Sequence, residues 1–326
     1  MLTCQPSPTD QSAWDSALCR FPGISLLQSW AYGAAKAADG GWSVERLEFR
    51  DGERLAGLAQ VVVKRLPLGL GGLAWVNRGP LWNDPADAAP ILESLRRRYA
   101  GRGFYLRLAP SGTDPVITAG FADTGRPGWA SARMDLTPPL EQVRKSLDGK
   151  WRNRLVKAER EALTIEEGPS AFAAFITGYV RFLAEKAIPT TVTPDLLERL
   201  QTESGLMALV ARHDGKVVGG ALVTRYGAIG EYLAGFGTDT GRRLGCGHLL
   251  LWRAVEQCRR EGLTAFDLGG LDPLRTPTGI KEFKGGMKGV PYRLANELEC
   301  CPLHPLAWLV RWKVARALAA SDGGTP

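Results

Sequence analysis

Polar and apolar residues alternate along two stretches of this chain that read alike. Glu45-Arg-Leu-Glu-Phe-Arg-Asp-Gly-Glu-Arg-Leu-Ala-Gly-Leu-Ala-Gln-Val-Val-Val and Met207-Ala-Leu-Val-Ala-Arg-His-Asp-Gly-Lys-Val-Val-Gly-Gly-Ala-Leu-Val-Thr-Arg each predict two strands joined by an Asp-Gly turn, at Asp51-Gly52 and Asp214-Gly215. In both, a glycine follows the aspartate by six residues (Gly57, Gly220). The flanking periodicity repeats as well. Apolar residues at helical spacing precede the first hairpin over 26–38 and the second over 170–187 and 194–203. After each hairpin the pattern gives a strand, a helix and a short strand: 73–76, 86–100 and 104–108, then 231–235, 242–261 and 265–268. This predicts an α/β (α+β) fold used twice, each unit a mixed, largely antiparallel sheet flanked by helices. Prolines at Thr137-Pro138-Pro139 stop a strand and open a helix, which sets the expected units at 1–137 and 138–295.

Composition narrows the chemistry more than the fold. The net charge of +7, from 41 basic and 34 acidic residues, favours an anionic partner such as nucleic acid, a nucleotide or a lipid headgroup. Six cysteines (Cys4, Cys19, Cys246, Cys258, Cys300, Cys301) form no CxxC pair and read as free thiols of a reducing compartment. The three histidines (His213, His248, His304) fit no metal-ligand spacing, so no metal site is expected. The opening residues lack the layout of a signal peptide, and no run approaches the roughly 20 apolar residues of a membrane span. A soluble, cytoplasmic protein is the expectation.

Several segments carry candidate chemistry. Within 264–288, a short apolar strand runs into Gly269-Gly270, where the backbone can turn sharply and approach a ligand. A Pro/Thr-rich loop then leads to Ile280-Lys281-Glu282-Phe283-Lys284, which sets a lysine beside an aromatic and suits a site where a cation meets developing negative charge; solvated lysines on a surface turn are the alternative. Arg242-Arg243-Leu244-Gly245-Cys246-Gly247 fits R-x-x-G-x-G at a helix start. Such glycines, Gly245 and Gly247 here, expose backbone N–H groups to an anion, or else simply allow close packing. The segment resembles the pyrophosphate loop of the GNAT acyltransferases, which implies acyl-CoA as a co-substrate.

Residues 150–160 read as a basic amphipathic helix with Trp151, Leu155 and Ala158 on one side. Its five cations (Lys150, Arg152, Arg154, Lys157, Arg160) suit phosphate contacts or form a solvated face. Residues 27–36 pair helical spacing with Trp30 and Tyr32 and end at Lys36, a pattern that by itself reads as core rather than site. Residues 302–318 mix Trp308 and Trp312 with Arg311, Lys313 and Arg316 among leucines and valines, the composition of a helix lying on a bilayer or of a terminal helix docked on its own unit.

Taken in order, Gln28-Ser-Trp-Ala-Tyr-Gly-Ala-Ala-Lys36, Arg78-Gly79-Pro80, Lys150-Trp-Arg-Asn-Arg-Leu-Val-Lys-Ala-Glu159, Asp267-Leu-Gly-Gly270 and Gly279-Ile-Lys-Glu-Phe-Lys-Gly285 resemble the FemABX family of peptidoglycan bridge-forming aminoacyltransferases over nearly the whole chain. The resemblance implies two tandem GNAT-like domains, the first completed by 296–326. It implies transfer of an amino acid from aminoacyl-tRNA, as co-substrate, to an amine of a nucleotide- or lipid-linked muropeptide precursor of peptidoglycan, without metal or resident cofactor. It makes Phe283 and Lys284 the catalytic pair and Lys36 a precursor-binding residue, with Arg78, Tyr232, Gly269 and Gly270 on the substrate side and Arg152, Arg154 and Lys157 on tRNA. Peripheral contact with the cytoplasmic face of the inner membrane would fall to 302–318.

The pattern departs from the family at Ala109, where some members carry an aspartate, at Thr190-Thr191-Val192, where an arginine is expected, and in the fourth strand, whose tyrosines are reduced to Tyr232. Donor chemistry is therefore better specified than the acceptor. An acyl-CoA-dependent N-acyltransferase and a non-catalytic precursor- or tRNA-binding module are the other two readings.

Overall fold

A computed structural model describes residues 2–7, 10–38, 40–113, 120–186, 190–273 and 276–322. Residue 187 of the expected second-unit helix, residues 274 and 275 of the Pro/Thr-rich loop, and residues 323–326 of the expected completing segment lie outside them. The chain forms two units: one holds the described residues through Trp129 together with those from Arg293 onward, the other Ala130–Tyr292.

The first unit contains strands β1 (Thr3–Pro6), β2 (Ser43–Asp51), β3 (Arg54–Arg65), β4 (Gly72–Asn77), β5 (Leu81–Trp82), β6 (Phe104–Ala109) and β7 (Ala122–Asp123). Its helices are α1 (Gln11–Leu18), α2 (Trp30–Ala38) and α3 (Ala88–Tyr99). The second contains strands β8 (Ala130–Asp135), β9 (Thr164–Glu167), β10 (Met207–His213), β11 (Lys216–Tyr226), β12 (Ile229–Gly237), β13 (Ala265–Asp267) and β14 (Val290–Arg293). Its helices are α4 (Leu140–Ser146), α5 (Gly149–Arg160), α6 (Pro169–Lys186), α7 (Pro194–Ser204), α8 (Asp239–Leu244), α9 (Cys246–Arg260) and α10 (Thr278–Gly285). Strand β15 (Leu298–Cys300) and helix α11 (Pro305–Asp322) return to the first unit.

The two sheets share one strand order. The first runs β1-β2-β3-β4-β6-β15-β7, with β5 also on β3, and the second, read from its far edge, runs β9-β10-β11-β12-β13-β8-β14. In each, a parallel pair (β4–β6, β12–β13) is bridged by a helix (α3, α9), as a crossover between parallel strands requires, with an antiparallel neighbour on either side. The sixth place differs in origin: β15, from late in the chain, fills it in the first sheet, and β8, from before the second hairpin, fills it in the second. This corrects the expected seam. The division falls at Trp129/Ala130 and not after Thr137, because β8 hydrogen-bonds to β13 with Ala265 opposite Asp135. It likewise falls at Tyr292/Arg293 and not after residue 295.

Each predicted hairpin carries a bulge, but the repeat is offset by one residue. In the first, Asp51 is still paired with Arg54, and only Gly52 has positive φ (60°), as at the first position of a type II′ turn. In the second, Asp214 and Gly215 are both turn residues at φ 50° and 73°, as in type I′. Aligned on pairing, Gly57 opposite Phe49 matches Gly219 opposite Ala211, not Gly220, and the register shifts at the same step in both. A Cβ on Gly57 would meet the Leu81 carbonyl at 2.5 Å, and one on Gly219 the Cys246 Sγ at 2.5 Å, so both strands need glycine for close approach.

The expected helix over 242–261 is also divided: Gly245, left-handed at φ 72°, ends α8, and α9 starts afresh at Cys246. Similarly, the stretch 26–38 is a short 3₁₀ turn over Leu26–Gln28 followed by α2, because Ser25 and Ser29 hydroxyls accept from the Leu27 and Tyr32 amides.

Candidate active site

The site begins at the last pair of the parallel strands β12 and β13, Glu231 beside Asp267. Beyond it β12 runs on to Gly237, while the other strand ends and the chain turns away at Gly269 (φ 61°). The Asp267 carboxylate is buried and fixes that turn. It accepts from Ser131 Oγ (2.5 Å) and the Gly269 amide (3.0 Å) on Oδ1, and from Tyr292 OH (2.7 Å) and Arg133 (3.3 Å) on Oδ2. A buried carboxylate with four donors is satisfied where a bare one would be very costly. Only glycine fits at 269, since a Cβ there would lie 2.2 Å from the Tyr232 carbonyl oxygen.

Lys284 meets this turn from the last turn of α10. Its Nζ donates to the carbonyl oxygens of Gly269 (2.7 Å) and Gly270 (3.2 Å) and lies 5.1 Å from the Tyr232 ring centroid. The side chain is 8 % exposed, which makes it a buried cation held by backbone dipoles. Burial pulls its pKa down to about 8, against the upward pull of Asp267 and Glu231. Near pH 7 it is mostly an ammonium, yet one that can lose its proton under mildly basic conditions. Two of its three N–H bonds are engaged by backbone, and the third is the one able to turn toward a reacting oxygen.

The amphipathic helix α5 holds α10 in place. Trp151 Nε1 donates to the Phe283 carbonyl (2.9 Å), the Asp148 amide donates to the Gly286 carbonyl (2.9 Å), and a Cβ on Gly286 would strike the Trp151 indole at 2.6 Å. Phe283 packs edge-on against His248 (ring centroids 5.0 Å), which in turn lies 4.9 Å from Trp151. Burial, with the charge of Arg154, lowers the His248 pKa to about 4, so this imidazole is neutral near pH 7 and acts as a packing piece between α5, α9 and α10.

The proposed pyrophosphate loop is differently arranged from a simple helix start. Arg242 lies within α8, where its guanidinium donates to the Gly237 carbonyl (2.6 Å) and pairs with Asp239. The Gly245 amide closes α8 on the Arg242 and Gly241 carbonyls. A Cβ on Gly245 would meet Ala158 of α5 at 3.2 Å, and one on Gly247 the Phe283 ring at 3.3 Å, so both glycines serve helix packing. On α5, Arg154 and Lys157 are exposed, whereas the half-buried Arg152 donates to the Lys145 carbonyl (2.8 Å).

Lys36 and Arg78 belong to the first unit. Lys36 is half-buried at the end of α2; Arg78, at φ 49°, stacks its guanidinium 4.2 Å from the Trp129 ring centroid. The Gln28 motif preceding Lys36 is a brace: Gln28, fully buried, donates to the Gln60 and Asn77 carbonyls and accepts from the Gln60 amide (2.7 Å), tying α2's entry to β3 and β4.

In the second unit, therefore, Lys284, Tyr232, Gly269 and Gly270 come together, and Phe283 joins Gly247. Sequence reasoning missed Asp267, Ser131 and Tyr292 as the turn's supports, and His248 as the partner of Phe283. An aspartate closing a short apolar strand just before Gly-Gly was a usable signal for the first; nothing in the sequence marked the others. Among the described residues no cluster of His, Cys, Asp and Glu could hold a metal ion.

Residues 142–285 match the family model for the Acetyltransferase (GNAT) domain. No curated protein matches the sequence. Among solved structures, the chain is similar to FemX, with a TM-score of 0.80 at 14% identity, covering 94% of this chain and 99% of that one. It is also similar to L-PGS from Bacillus licheniformis (TM-score 0.53, 14% identity, 95% and 97% covered). A tandem GNAT protein from the clavulanic acid biosynthesis pathway gives a TM-score of 0.53 at 13% identity, with 92% and 98% covered. The chain has the tandem GNAT fold shared by these proteins, and its second unit is an acyltransferase domain of the GNAT class.

Proposed function

We propose that the protein transfers an amino acid from aminoacyl-tRNA to an amine of a peptidoglycan precursor or a related acceptor. The observation that carries this reading is the buried Lys284 ammonium, held on the Gly269 and Gly270 carbonyls where β12 and β13 part. The acceptor amine attacks the ester carbonyl carbon, and the carbonyl π electrons move onto oxygen as a tetrahedral oxyanion. Collapse breaks the ester C–O bond, and the ribose oxygen of the tRNA leaves with a proton from the amine. Lys284 faces charge that exists only in the intermediate and its transition states, where a fixed cation is most effective. Phe283 fixes the height of the lysine through its packing on His248, and the Tyr232 ring lies beside the ammonium. Lys36 and Arg78 are the first-unit cations that the family resemblance assigns to the precursor.

Arg154 and Lys157, exposed on α5 together with Lys150 and Arg160, suit the tRNA backbone. Changing both to Ala should weaken tRNA binding and flatten its salt dependence by nearly two counterions, whereas Arg152→Ala should add little, since that guanidinium is already bonded to the Lys145 carbonyl. A salt titration of tRNA binding that is identical for the parent and the double variant would return α5 to a solvated face.

The match of 142–285 to an acetyltransferase domain favours a second reading, transfer from acyl-CoA. Against it, the Gly245 amide is used within α8, and Gly245 and Gly247 face α5 and Phe283. Calorimetry with acetyl-CoA should accordingly give no tight binding; a micromolar dissociation constant would favour the second reading. Transfer from charged tRNA, assayed beside acyl-CoA turnover, decides between them.

A further inference from the structure

Helix α11 packs against β4 and β6 of the first unit through a narrow inner face: Ala307 is buried, and Leu306, Val310, Val314 and Leu318 are half-buried. Its outer face is apolar too. Trp308 and Trp312, one turn apart, are 49 % and 52 % exposed, Leu309 is 46 % exposed, and Leu303 just ahead of the helix is 98 % exposed. A helix made for water would carry polar residues there, and monomeric proteins rarely leave such an aromatic row uncovered.

Over 301–321 the charges are all of one sign, and Asp322 is the last residue of the helix. Between Cys300 and Ser321 the sequence contains Arg311, Lys313 and Arg316 and no acidic residue. Arg311 is neutralised by Glu299 of β15, which accepts from its Nε at 3.0 Å. Lys313 and Arg316 remain exposed beside the indoles, the Arg316 guanidinium 4.8 Å from the Trp312 ring centroid.

We propose that this face of α11 docks on the surface of an anionic phospholipid bilayer, with Trp308, Leu309 and Trp312 at the headgroup level and Lys313 and Arg316 on lipid phosphates. Indoles prefer that depth because one edge is apolar and the N–H is polar, and neighbouring cations add attraction to anionic headgroups. A second copy of the chain fits less well. A two-fold contact would set the Lys313 and Arg316 rows against each other, with no acid along either helix nearer than Asp322, six residues past Arg316. No helix among the described residues is long and apolar enough to cross a membrane, so the contact is peripheral.

The test is co-sedimentation of the full chain with vesicles of phosphatidylcholine alone or with about a third phosphatidylglycerol, at low and at high salt. The expected result is partitioning stronger by roughly tenfold or more on the anionic vesicles, weakening as salt rises. Trp308→Ala/Trp312→Ala should lose roughly tenfold on anionic vesicles, and Lys313→Ala/Arg316→Ala should abolish the preference for them, with circular dichroism confirming that both variants fold. The proposal is overturned if the parent chain ignores anionic vesicles, or if either double variant binds them as the parent does. It is also overturned if the parent chain self-associates in solution through a contact that Trp308→Ala/Trp312→Ala removes. The assay contains no tRNA and no acceptor, and Lys284→Met should bind vesicles like the parent, so failure here leaves the proposed reaction untouched.

Discussion

Replacing Lys284 by Met is expected to lower kcat by about 10²-fold or more while leaving the fold intact and KM for the acceptor nearly unchanged. The methionine keeps much of the aliphatic stem, but the charge that would face the oxyanion is gone, so the loss should appear in the chemical step. Stability should move the other way. The lysine binds its proton less tightly in the folded chain, near pKa 8, than unfolded, near 10.5. The unfolded state therefore holds more protons between those values, and stability rises with pH across that window. Below pH 8 the buried ammonium costs the fold on the order of 3 kcal/mol. Lys284→Met should consequently melt at the same temperature as the parent or higher at pH 7. Activity should fall as pH rises through about 8, because the needed ammonium is then lost. A rate that instead climbs through pH 8, with that limb lost in Lys284→Met, would mark Lys284 as a base; a limb that both share belongs to deprotonation of the acceptor amine. A Lys284→Met variant near full activity with saturating charged tRNA would remove the proposed mechanism.

Asp267→Ala should do the most damage to the fold of the second unit. It strands Ser131, Tyr292, Arg133 and the Gly269 amide, and it leaves the Arg133 charge without its carboxylate. Each buried donor left unpaired costs about 1–3 kcal/mol, whereas the Arg133 side chain, 36 % exposed, can turn to water. Asp267→Asn should cost less, because the hydroxyls of Ser131 and Tyr292 can rotate, though Arg133 cannot become an acceptor. Both variants should lower kcat, since the Gly269 and Gly270 carbonyls that seat Lys284 depend on this turn. Denaturation midpoints read beside kcat for the two variants test the idea. An Ala variant as stable as the parent would show that the carboxylate does not anchor the turn.

The layout of two sheet-and-helix units was legible because the hairpins repeat their alternation and the helices their spacing. The boundaries were not, since β8 and β15 are short strands whose partners lie 130 or more residues away in the chain. No local pattern tells such a strand which sheet it will enter. The break at Gly245 went unread for a related reason: apolar spacing continues through it, and only the packing of α5 against that glycine favours the left-handed turn. At the site, Lys284 and Gly269-Gly270 stood out by composition. Their supports did not, because Ser131, Tyr292 and His248 act through tertiary contacts on residues that elsewhere would be unremarkable. The 27–36 segment reads as core by its spacing and aromatics, and Gln28 within it is a buried brace.

The different origins of the sixth strands bear on how the protein is made. The second unit is continuous in sequence and can close its sheet once β14 has left the ribosome. The first, though synthesised earlier, must wait with one sheet edge open until Leu298–Cys300 arrives to pair with β6. The earlier half of the chain is thus the later to mature. A nascent chain stalled before residue 298 should present a protease-resistant second unit joined to a first unit still open to cleavage and to chaperones.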